Sequence, residues 1–547
     1  MKNNKVAFEI LSRHESPPPG YKKIRCHMNF EVKIDLRRKA RYVAGGHLTD
    51  PPSFLTYSTV VGRESVRIAF LVAALNNLNI LAGDIQNAYL NAPTEEKLFF
   101  YAGKDFKADE GKPVLIVRAL YGLKSSALAW RNHLSDVIAN QMGFTSSLAD
   151  PDVWMKPAID NQGNKYYAYI LVYVDDILVI DKDPRKYMLM LQSSFKVRED
   201  TIKEPDQYLG ADIGKVYFDD NTFAYTSSSE SYIKNAIKNI KARMNDDGFR
   251  FNPKLSSMEY SARNPFSSNE YRPELDTSKE CTPDQIQLFQ NIIGILRWII
   301  ELGRVDIGYE VAVLSSYLTM PRTGHLNQAL HIIKYLDIHS SSTITFDPQE
   351  YFISPEIKRE AEQRSQSMSS LYLDAKEIIP PNAPEPRGVP VQINCFVDSD
   401  HAADRMTRRS HTGIIMYLNK SPISWYSKKQ STVESSTFGS EFVALRLATE
   451  QIISLRYKLR MFGIPISGPA NTFCDNESVY KNVTLADSRL KKKHNAVCFH
   501  RVREAVASGI MHVYKVGSKF NLSDILTKSV NPVDRVNLRS MIMPDHG

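Results

Sequence analysis

Two adjacent aspartates interrupt a long apolar run, and this feature constrains the fold of the chain more than any other. Asp175 and Asp176 lie within residues 166–180, whose other members are all aromatic or aliphatic. The flanking stretches predict two strands, with the acids at the tight turn between them. Paired carboxylates are costly to keep charged unless cations bind them, and Mg²⁺ prefers such oxygen ligands. The segment alone is also compatible with an ordinary solvated hairpin turn.

A third acid stands at the end of another predicted strand. Asp84 follows the apolar run 80–82 and Gly83, and a polar turn comes after it. If this strand lies beside the Asp175–Asp176 hairpin in one sheet, the three carboxylates converge. Three such carboxylates can hold two metal ions about 3.5–4 Å apart, which suits phosphoryl transfer.

The length of 547 residues is too great for one core and predicts about three or four domains. With 43% hydrophobic and 24% charged residues, the composition is that of a globular protein. Residues 1–225 alternate short strands and helices, and 226–350 are mainly helical. A polar, proline-rich stretch over 351–390 predicts a linker, and a new strand and helix pattern occupies 391–547.

Positive charge is clustered near both ends of a chain whose formal net charge is +8. The first cluster contains Lys33, Arg37, Arg38, Lys39 and Arg41, and the second contains Arg489, Lys491, Lys492, Lys493, His494, His500, Arg501 and Arg503. Such clusters suit a phosphate backbone, although solvated basic faces are an equal alternative on charge alone.

Cysteine spacing and hydropathy indicate where the chain resides. The five cysteines are scattered without Cys-x-x-Cys spacing, so neither a disulfide framework nor a structural zinc site is expected. No stretch reaches the ~18 apolar residues of a membrane span. The N-terminus has no signal-peptide pattern. We therefore expect a soluble, intracellular protein.

A second set of acids lies beyond the predicted linker. Asp398 and Asp475 each end an apolar strand, Glu441 lies on a long helix over about 440–460, and Asp524 is expected to open the final helix. Any one of them alone would be read as a cap or a surface acid. Together they repeat the two-metal pattern.

The order and spacing of several motifs carry a family resemblance. Asp84–Tyr89, Leu120–Lys124, Tyr173–Asp176 and Tyr208–Gly210 resemble the reverse transcriptase of copia-type LTR retrotransposons. Upstream, 18–22 and 38–45 are similar to the entry into its fingers, and downstream, 292–294, Asp306, Ile307, His325, Tyr335 and Leu336 are similar to its connecting region. The resemblance covers nearly the whole chain.

For the polymerase, the resemblance implies roles for individual residues. Asp84, Asp175 and Asp176 match the palm carboxylates that bind metal. The substrate-binding set is Lys39 and Arg41 at the triphosphate, Tyr89 as the gate against a ribose 2′-hydroxyl, and Gly122 and Lys124 at the template and nucleotide pocket. A packed strand-end aromatic is the alternative for Tyr89. The family commonly has Gln after this lysine, whereas this chain has Ser125.

For the second set of acids, the resemblance is to the copia-type ribonuclease H domain. There, Asp398, Glu441, Asp475 and Asp524 match the catalytic, metal-binding acids. Many members carry Glu-Ala-Glu where this chain has Gly439-Ser-Glu441. Lys493, His494 and His500, with Glu504, match a segment interpreted as hybrid-binding, and a basic surface helix is the alternative.

The implied fold class is multidomain α+β, with a right-hand polymerase of fingers, palm, thumb and connection followed by an α/β ribonuclease H-like domain. The implied function is that of a retrotransposon enzyme: RNA-directed and DNA-templated DNA synthesis with ribonuclease H activity on hybrids. A catalytically inactive or host-adopted nucleic-acid-binding remnant is the alternative, and the seven acids argue against it because a drifting copy tends to lose some of them.

The same resemblance implies cofactors and partners. Mg²⁺ is the expected ion, with Mn²⁺ as its substitute. The expected partners are an RNA template, an RNA/DNA hybrid, a primer–template duplex and deoxynucleoside triphosphates, and no membrane. A dimer or association with other polyprotein products is compatible with this reading. We expect a cytoplasmic, particle-associated protein with nuclear residence as an alternative, and a first domain whose N-terminal edge is truncated.

Overall fold

The structure is a computed structural model that describes residues 7–32, 38–48, 56–219, 222–246, 263–490 and 495–544. The chain divides into two compact units. The first comprises residues 1–66 and 77–205, and the second comprises residues 67–76 and 206–547. The main break therefore falls after Pro205, upstream of the expected boundary at 225, and the expected boundaries at 350 and 390 lie inside the second unit.

The first unit contains two sheets and a two-stranded ribbon. Its strands are β1 (Phe8–Ile10), β2 (Lys22–Lys23), β3 (Cys26–Val32), β4 (Arg38–Ala44), β5 (Asn79–Asp84), β6 (Pro93–Tyr101), β7 (Pro113–Arg118), β8 (Thr145–Ser146), β9 (Val153–Ile159), β10 (Lys165–Tyr173) and β11 (Asp176–Asp181). One sheet has the order β1-β7-β6-β2, the ribbon pairs β3 with β4, and the other sheet has the order β5-β11-β10-β9-β8.

Helices pack against the five-stranded sheet of this unit. They are α2 (Ala88–Asn91), α3 (Ser126–Asp136) and α4 (Arg185–Ser194), whereas α1 (Arg63–Leu75) begins in this unit and continues into the second. Trp130 of α3, Leu191 of α4 and Ile170 and Ile177 of the sheet belong to one buried cluster. Strands β10 and β11 are buried along almost their whole length, which explains why their sequence is continuously apolar rather than alternating.

The second unit begins with an antiparallel sheet and a helical core. The strands β12 (Gln207–Tyr208), β13 (Ala211–Tyr217), β14 (Phe223–Ser228) and β15 (Thr343–Phe346) pair in that order. The helices are α5 (Glu230–Asp246), α6 (Pro283–Glu301), α7 (Gly308–Leu314) and α8 (Thr323–Ile338). Helix α6 begins with a capping box, in which Thr282 accepts from the Gln285 N–H and the Gln285 side chain accepts from the Thr282 N–H.

The same unit continues with a mixed five-stranded sheet. Its strands are β16 (Ile393–Asp400), β17 (His411–Leu418), β18 (Ser421–Lys429), β19 (Ala470–Cys474) and β20 (Met511–Lys515), in the order β18-β17-β16-β19-β20. The pairs β18/β17 and β17/β16 are antiparallel, whereas β16/β19 and β19/β20 are parallel. Both faces of β16 and β17 are buried, so helices must cover this sheet on both sides.

The described residues of this part of the chain include the α-helices α9 (Pro355–Ser369), α10 (Thr437–Met461), α11 (Glu477–Thr484), α12 (Ala496–Ala507) and α13 (Pro532–Ile542). Asp524 was expected to open the final helix, but it lies in the separate 3-10 helix Leu522–Leu526, and the final helix begins at Pro532. The reason is that Asn531, not Asp524, provides the cap: its side chain accepts from the N–H groups of Val533 and Asp534.

The expected linker over 351–390 differs from the structure, which places α9 within it. Ser354 caps this helix, and its buried face consists of Ala361, Ser365 and Met368. The hydroxyl of Ser365 donates to the carbonyl of Val506 at the end of α12. A face of small and polar residues lacks the apolar periodicity that marks a helix in sequence, so composition alone suggested a linker.

The proline-rich end of the same stretch is also held in place. Glu377 accepts paired hydrogen bonds from the guanidinium groups of Arg456 and Arg460 on α10. The Arg387 N–H donates to the Gly463 carbonyl and the Val391 N–H to the Pro465 carbonyl. These contacts fasten the stretch to the mixed sheet domain, so it is part of that domain's packing.

Candidate active sites

The first candidate site lies at the β10–β11 hairpin and the end of β5. Tyr173 and Asp176 are Cα partners, so Val174 and Asp175 form the two-residue turn, and Val174 has a φ of 57°. The indole N–H of Trp130 donates to the Val174 carbonyl at 2.8 Å, which holds the turn from below. Asp176 is in turn the Cα partner of Asp84 on β5. The strand register therefore brings the predicted acids to one edge of the sheet.

Main-chain and basic groups fix the neighbourhood of Asp84. Its N–H donates to the Thr201 hydroxyl at 3.0 Å, and its carbonyl accepts from the Arg198 N–H. The Arg198 guanidinium lies 3.5 Å from the Asp84 carboxylate. The carboxylate oxygens of Asp84, Asp175 and Asp176 do not all lie within 4.8 Å of one another. The backbone thus aligns the three acids without closing their oxygens into one cluster.

The electrostatics of the turn favour a bound cation. Burial raises the pKa of Asp175, and the Asp84 carboxylate raises it further. The positive charges of Lys39 and Arg198 act in the opposite direction and lower the pKa of Asp175. Since desolvation and a neighbouring acid both penalise the charged form, an added cation would be stabilised here.

Tyr89 and Arg41 line the same edge through a chain of ring contacts. The rings of Tyr89 and Tyr121 are 4.9 Å apart, and the Arg41 guanidinium lies 5.5 Å from the centre of the Tyr121 ring. Arg41 also forms a 2.6 Å ion pair with Glu31 across the β3–β4 ribbon. Burial, and then Asp175, raise the pKa of Tyr89, so its phenol is near the acids.

Gly122 marks a close approach between two pieces of backbone. Its φ is +91°, and a Cβ at this position would lie 2.1 Å from the Ala44 carbonyl oxygen. The Ala44 N–H donates to the Tyr121 carbonyl. Only glycine fits, because any side chain would push the end of β4 away from this loop. Gly122 therefore positions the strand that carries Lys39 and Arg41.

Lys124 and Ser125 follow this close approach. Lys124 is half-buried, whereas Ser125 is buried and its hydroxyl donates to the Glu96 carboxylate on β6. At the position where the resembling family commonly has Gln, the Ser125 hydroxyl is therefore engaged in a hydrogen bond within the protein. This residue joins the loop after β7 to β6.

The second candidate site gathers acids from three separate elements. One oxygen each of Asp398 on β16, Asp475 after β19 and Asp524 in the 3-10 helix all lie within 4.8 Å of one another. Since β16 and β19 are parallel neighbours, their carboxyl ends meet at one edge of the sheet. Asp398 is only 3% exposed.

Glu441 joins this cluster from the start of α10. Ser436 caps the helix by accepting from the Gly439 N–H, and Glu441, 6% exposed, lies in the turn that follows. Burial, then Asp398 and Asp475, raise the pKa of Glu441 well above its ordinary range. A Cβ at Gly439 would lie 2.5 Å from a carboxylate oxygen of Glu434, so Glu434 fills the space next to that position.

The pKa shifts of the other acids have the same causes. Burial raises the pKa of Asp475, Asp398 raises it further, and a hydrogen bond from Ser518 lowers it. Burial and Asp398 also raise the pKa of Asp524, whose Oδ1 is buried without a hydrogen-bond partner. A cluster of desolvated, mutually repelling carboxylates with an unpartnered oxygen fits a divalent cation.

Three neighbours of this cluster were not predicted as functional residues from the sequence. Lys528 places its Nζ 3.1 Å from Asp524 and 3.8 Å from Asp398, and the Thr527 hydroxyl donates to Asp398 at 2.6 Å. Asp400 ends β16, and burial raises its pKa to about 6. Asp400 could have been predicted from its position two residues after Asp398 on the same strand, because residues i and i+2 of a strand share one face.

Part of the predicted hybrid-binding segment is described. His500 is exposed on α12, where its Nδ1 lies 2.8 Å from the Tyr372 hydroxyl. Lys493 and His494 lie outside the described residues. The segment's role in binding stays a prediction.

Residues 13–248 match the family model described as reverse transcriptase (RNA-dependent DNA polymerase). The retrovirus-related Pol polyprotein from transposon RE2 of Arabidopsis thaliana is 26% identical over 541 residues, covering 95% of this chain. Its counterpart from transposon TNT 1-94 of Nicotiana tabacum is 24% identical over 533 residues, covering 94% of this chain. The chain is therefore similar to these Pol polyproteins over almost its whole length, and residues 13–248 are similar to reverse transcriptases.

The chain spans about a third of the length of the curated relatives it matches, 32% of the RE2 protein and 35% of the TNT 1-94 protein. A solved structure of a foamy viral protease-reverse transcriptase in complex with double-stranded DNA aligns with 87% of the chain at 11% identity and a TM-score of 0.46. None of the helices in the described ranges is long and apolar enough to cross a membrane.

The predicted α+β fold class is confirmed. The residues that match the reverse transcriptase model are followed by a mixed five-stranded sheet with the order β18-β17-β16-β19-β20. The residue roles and the expected division into four segments stay predictions.

Proposed function

We propose that the chain is an RNA-directed DNA polymerase that also accepts DNA templates and cuts RNA in RNA/DNA hybrids. The observation that carries this proposal is the presence of two separate groups of strand-end acids, each assembled by sheet register. One group lies in the segment that matches the reverse transcriptase model. The other lies on the ribonuclease H-like sheet, downstream of that segment.

At the polymerase site, Asp84, Asp175 and Asp176 would hold divalent cations, Mg²⁺ or Mn²⁺. When bound, these ions supply Lewis acidity and neutralise charge on the reacting phosphate oxygens. Lys39 and Arg41 would bind the incoming triphosphate, for which a fork-shaped guanidinium is suited. Gly122 and Lys124 would shape the template and nucleotide pocket.

Tyr89 would act as the gate that excludes a ribose 2′-hydroxyl. The Tyr121 ring beside it supports this role, because a ring held from one side presents a fixed surface to a sugar. Each deoxynucleotide would be accepted because its 2′ position carries only hydrogen. A ribonucleotide would clash with the ring.

At the nuclease site, Asp398, Glu441, Asp475 and Asp524 would hold the cations that serve RNA cleavage. Their burial and mutual repulsion support this role, because acids of this kind are stabilised by positive charge. Lys493, His494 and His500 would contact the hybrid backbone. The partners would be an RNA template, the hybrid, a primer–template duplex and deoxynucleoside triphosphates.

We further propose that the functional domains follow the sequence expectation, with fingers and palm within 1–225, thumb and connection within 226–350 and nuclease within 391–547. Residues 351–390 would then join the last two by packing against the nuclease, as α9 and Glu377 do. In a retrotransposon, the protein would work in cytoplasmic particles.

The decisive experiment is primer extension by the purified chain on a poly-rA template with Mg²⁺, together with cleavage of a labelled RNA/DNA hybrid. We expect both activities. If the chain binds primer–template but neither extends nor cleaves, the alternative of an inactive or host-adopted nucleic-acid-binding remnant is correct.

A further inference from the structure

Lys528 occupies the mouth of the nuclease acid cluster. It follows the 3-10 helix that carries Asp524, so the two residues are four apart, and its Nζ lies 3.1 Å from the Asp524 Oδ2. The same ammonium lies 3.8 Å from the Asp398 Oδ2. Its side chain is 42% exposed, so it reaches the acids from the rim rather than from the core.

The charge of Lys528 acts on the whole group of acids. It lowers the pKa of Asp400, Glu441, Asp475 and Asp524, against the burial and mutual repulsion that raise them. Arg272 also lowers the pKa of Asp400. At 3.1 Å from Asp524 and 3.8 Å from Asp398, the Lys528 ammonium offsets part of the repulsion between these two carboxylates.

The oxygens that face Lys528 are those a divalent ion would need. An ammonium and a divalent cation repel each other strongly at contact distance in a partly desolvated site. The four-carbon stem of lysine is flexible and its head is strongly hydrated, so a half-exposed lysine moves into solvent readily. Binding of one cation would therefore release the other.

We propose that Lys528 is a built-in counter-ion of the nuclease cluster, which a divalent cation displaces from Asp524 and Asp398 on binding. This inference rests on the proposed function of the cluster as a metal-dependent nuclease site. It has two opposite consequences. Lys528 stabilises the metal-free protein, and it weakens the binding of metal.

The test is thermal unfolding of the full chain across a series of Mg²⁺ concentrations, for wild type and Lys528→Met. Without metal, the variant should unfold at a lower temperature than wild type. The half-saturating Mg²⁺ concentration of the variant should fall on the order of tenfold, a typical size for an outer-shell change at a metal site. An unchanged or higher half-saturating concentration in Lys528→Met would overturn the proposal.

Two further variants test whether the effect comes from the positive charge at position 528. Lys528→Arg keeps the positive charge and should bind Mg²⁺ like wild type, so tighter binding by Lys528→Arg would count against displacement of charge. Lys420→Met removes one positive charge at the turn between β17 and β18, where Lys420 bonds to Gln349, and should shift neither quantity. If Lys420→Met changed the half-saturating Mg²⁺ concentration as much as Lys528→Met, the effect would come from the net charge of the protein, and the proposal would be overturned.

Cleavage of an RNA/DNA hybrid tests the proposed nuclease function separately. If Lys528→Met binds Mg²⁺ more tightly but wild type does not cleave a hybrid, the counter-ion role stands and the nuclease function fails. If wild type cleaves and Lys528→Met binds Mg²⁺ no more tightly, the counter-ion role alone fails.

Discussion

The guanidinium Nη2 of Arg535 lies 2.5 Å from the Oε1 of Glu310, and both side chains are almost completely buried. Arg535 is on α13, after the nuclease sheet, whereas Glu310 is on α7 of the helical core. Arg535 also donates to the carbonyl of Asp306, whose carboxylate pairs with the buried Arg304. These contacts explain why residues 206–547 form one compact unit: the last helix is fastened to the helical core.

Arg535→Met should destabilise the chain by about 3–5 kcal/mol, because it leaves the Glu310 carboxylate buried without its partner. The measurement is the free energy of unfolding from denaturant titration. The double variant Arg535→Met with Glu310→Met should recover most of the loss, since an apolar pair of similar volume leaves no buried charge.

This prediction also has a pH signature. Burial raises the pKa of Glu310 to about 6, although Arg535 lowers it, so removal of Arg535 should raise it further. A group whose pKa is higher in the folded state contributes stability at low pH and loses it as the pH rises through that pKa. The loss in Arg535→Met should therefore be smaller near pH 5 than near pH 8. An equal loss at both pH values would place the defect in packing rather than charge.

Asp175→Asn combined with Asp176→Asn should abolish DNA synthesis while binding of primer–template survives. The amide keeps the shape of each side chain but removes the charge that would hold a cation. Extension assays and binding isotherms on the same preparations check both halves. Asp183→Asn, an exposed acid just beyond β11, is the matched control and should extend normally. Synthesis by the double variant would remove the palm assignment.

Tyr89→Ala should increase incorporation of ribonucleotides relative to deoxynucleotides, by roughly ten- to a hundredfold if the ring excludes the 2′-hydroxyl by contact. Tyr89→Phe keeps the ring and should retain wild-type selectivity. The readout is the ratio of kcat/KM for matched ribo- and deoxynucleotides. If Tyr89→Ala polymerised at a normal rate with unchanged selectivity, Tyr89 would only pack beside Tyr121 and would not exclude ribonucleotides.

Binding to primer–template should weaken steeply with salt, because basic side chains displace counterions from phosphates. With roughly six phosphate contacts, the affinity should fall about a thousandfold between 50 and 200 mM salt. An isotherm that barely changes over this range would contradict a nucleic-acid groove.

Asp475→Asn should stop RNA cleavage in a hybrid and leave primer extension on a DNA template nearly intact, because a carboxylate ligates only within about 2 Å of its ion. It should not destabilise the metal-free protein, since burial and Asp398 raise the pKa of Asp475 and its charge is unfavourable there. Asp487→Asn, at an exposed position beyond α11, is the control for both assays. Equal loss of both activities in a folded Asp475→Asn protein would refute separable sites.

Local patterns allowed the strand-borne acids to be found in the sequence. Asp84, Asp398 and Asp475 each follow or end an apolar run, and sheet pairing then places them at an edge. Glu441 was found through the family resemblance, since nothing in the local pattern separates it from other helical acids.

Features set by distant contacts could not be found in the same way. Helix α9 depends on hydrogen bonds from Ser365 and Ser369 to the end of α12, which no local periodicity encodes. Lys528 reaches the acids through a flexible side chain, and Arg535 finds Glu310 across more than two hundred positions of sequence. Contacts of this kind join segments that are distant in sequence, and the second compact unit therefore continues through the expected boundaries at 350 and 390.

The pairing of Asp84 with Asp176 has a consequence for how this chain could diverge. Main-chain hydrogen bonds of β5 and β11 make the two acids face each other, whatever side chains surround them. The register does not depend on which apolar side chains these strands carry, whereas inserting or deleting one residue would turn an acid to the opposite face. A site anchored in this way can outlast the loss of most identities around it, which suits a lineage whose members, such as this chain and the RE2 protein, share only 26% of their residues.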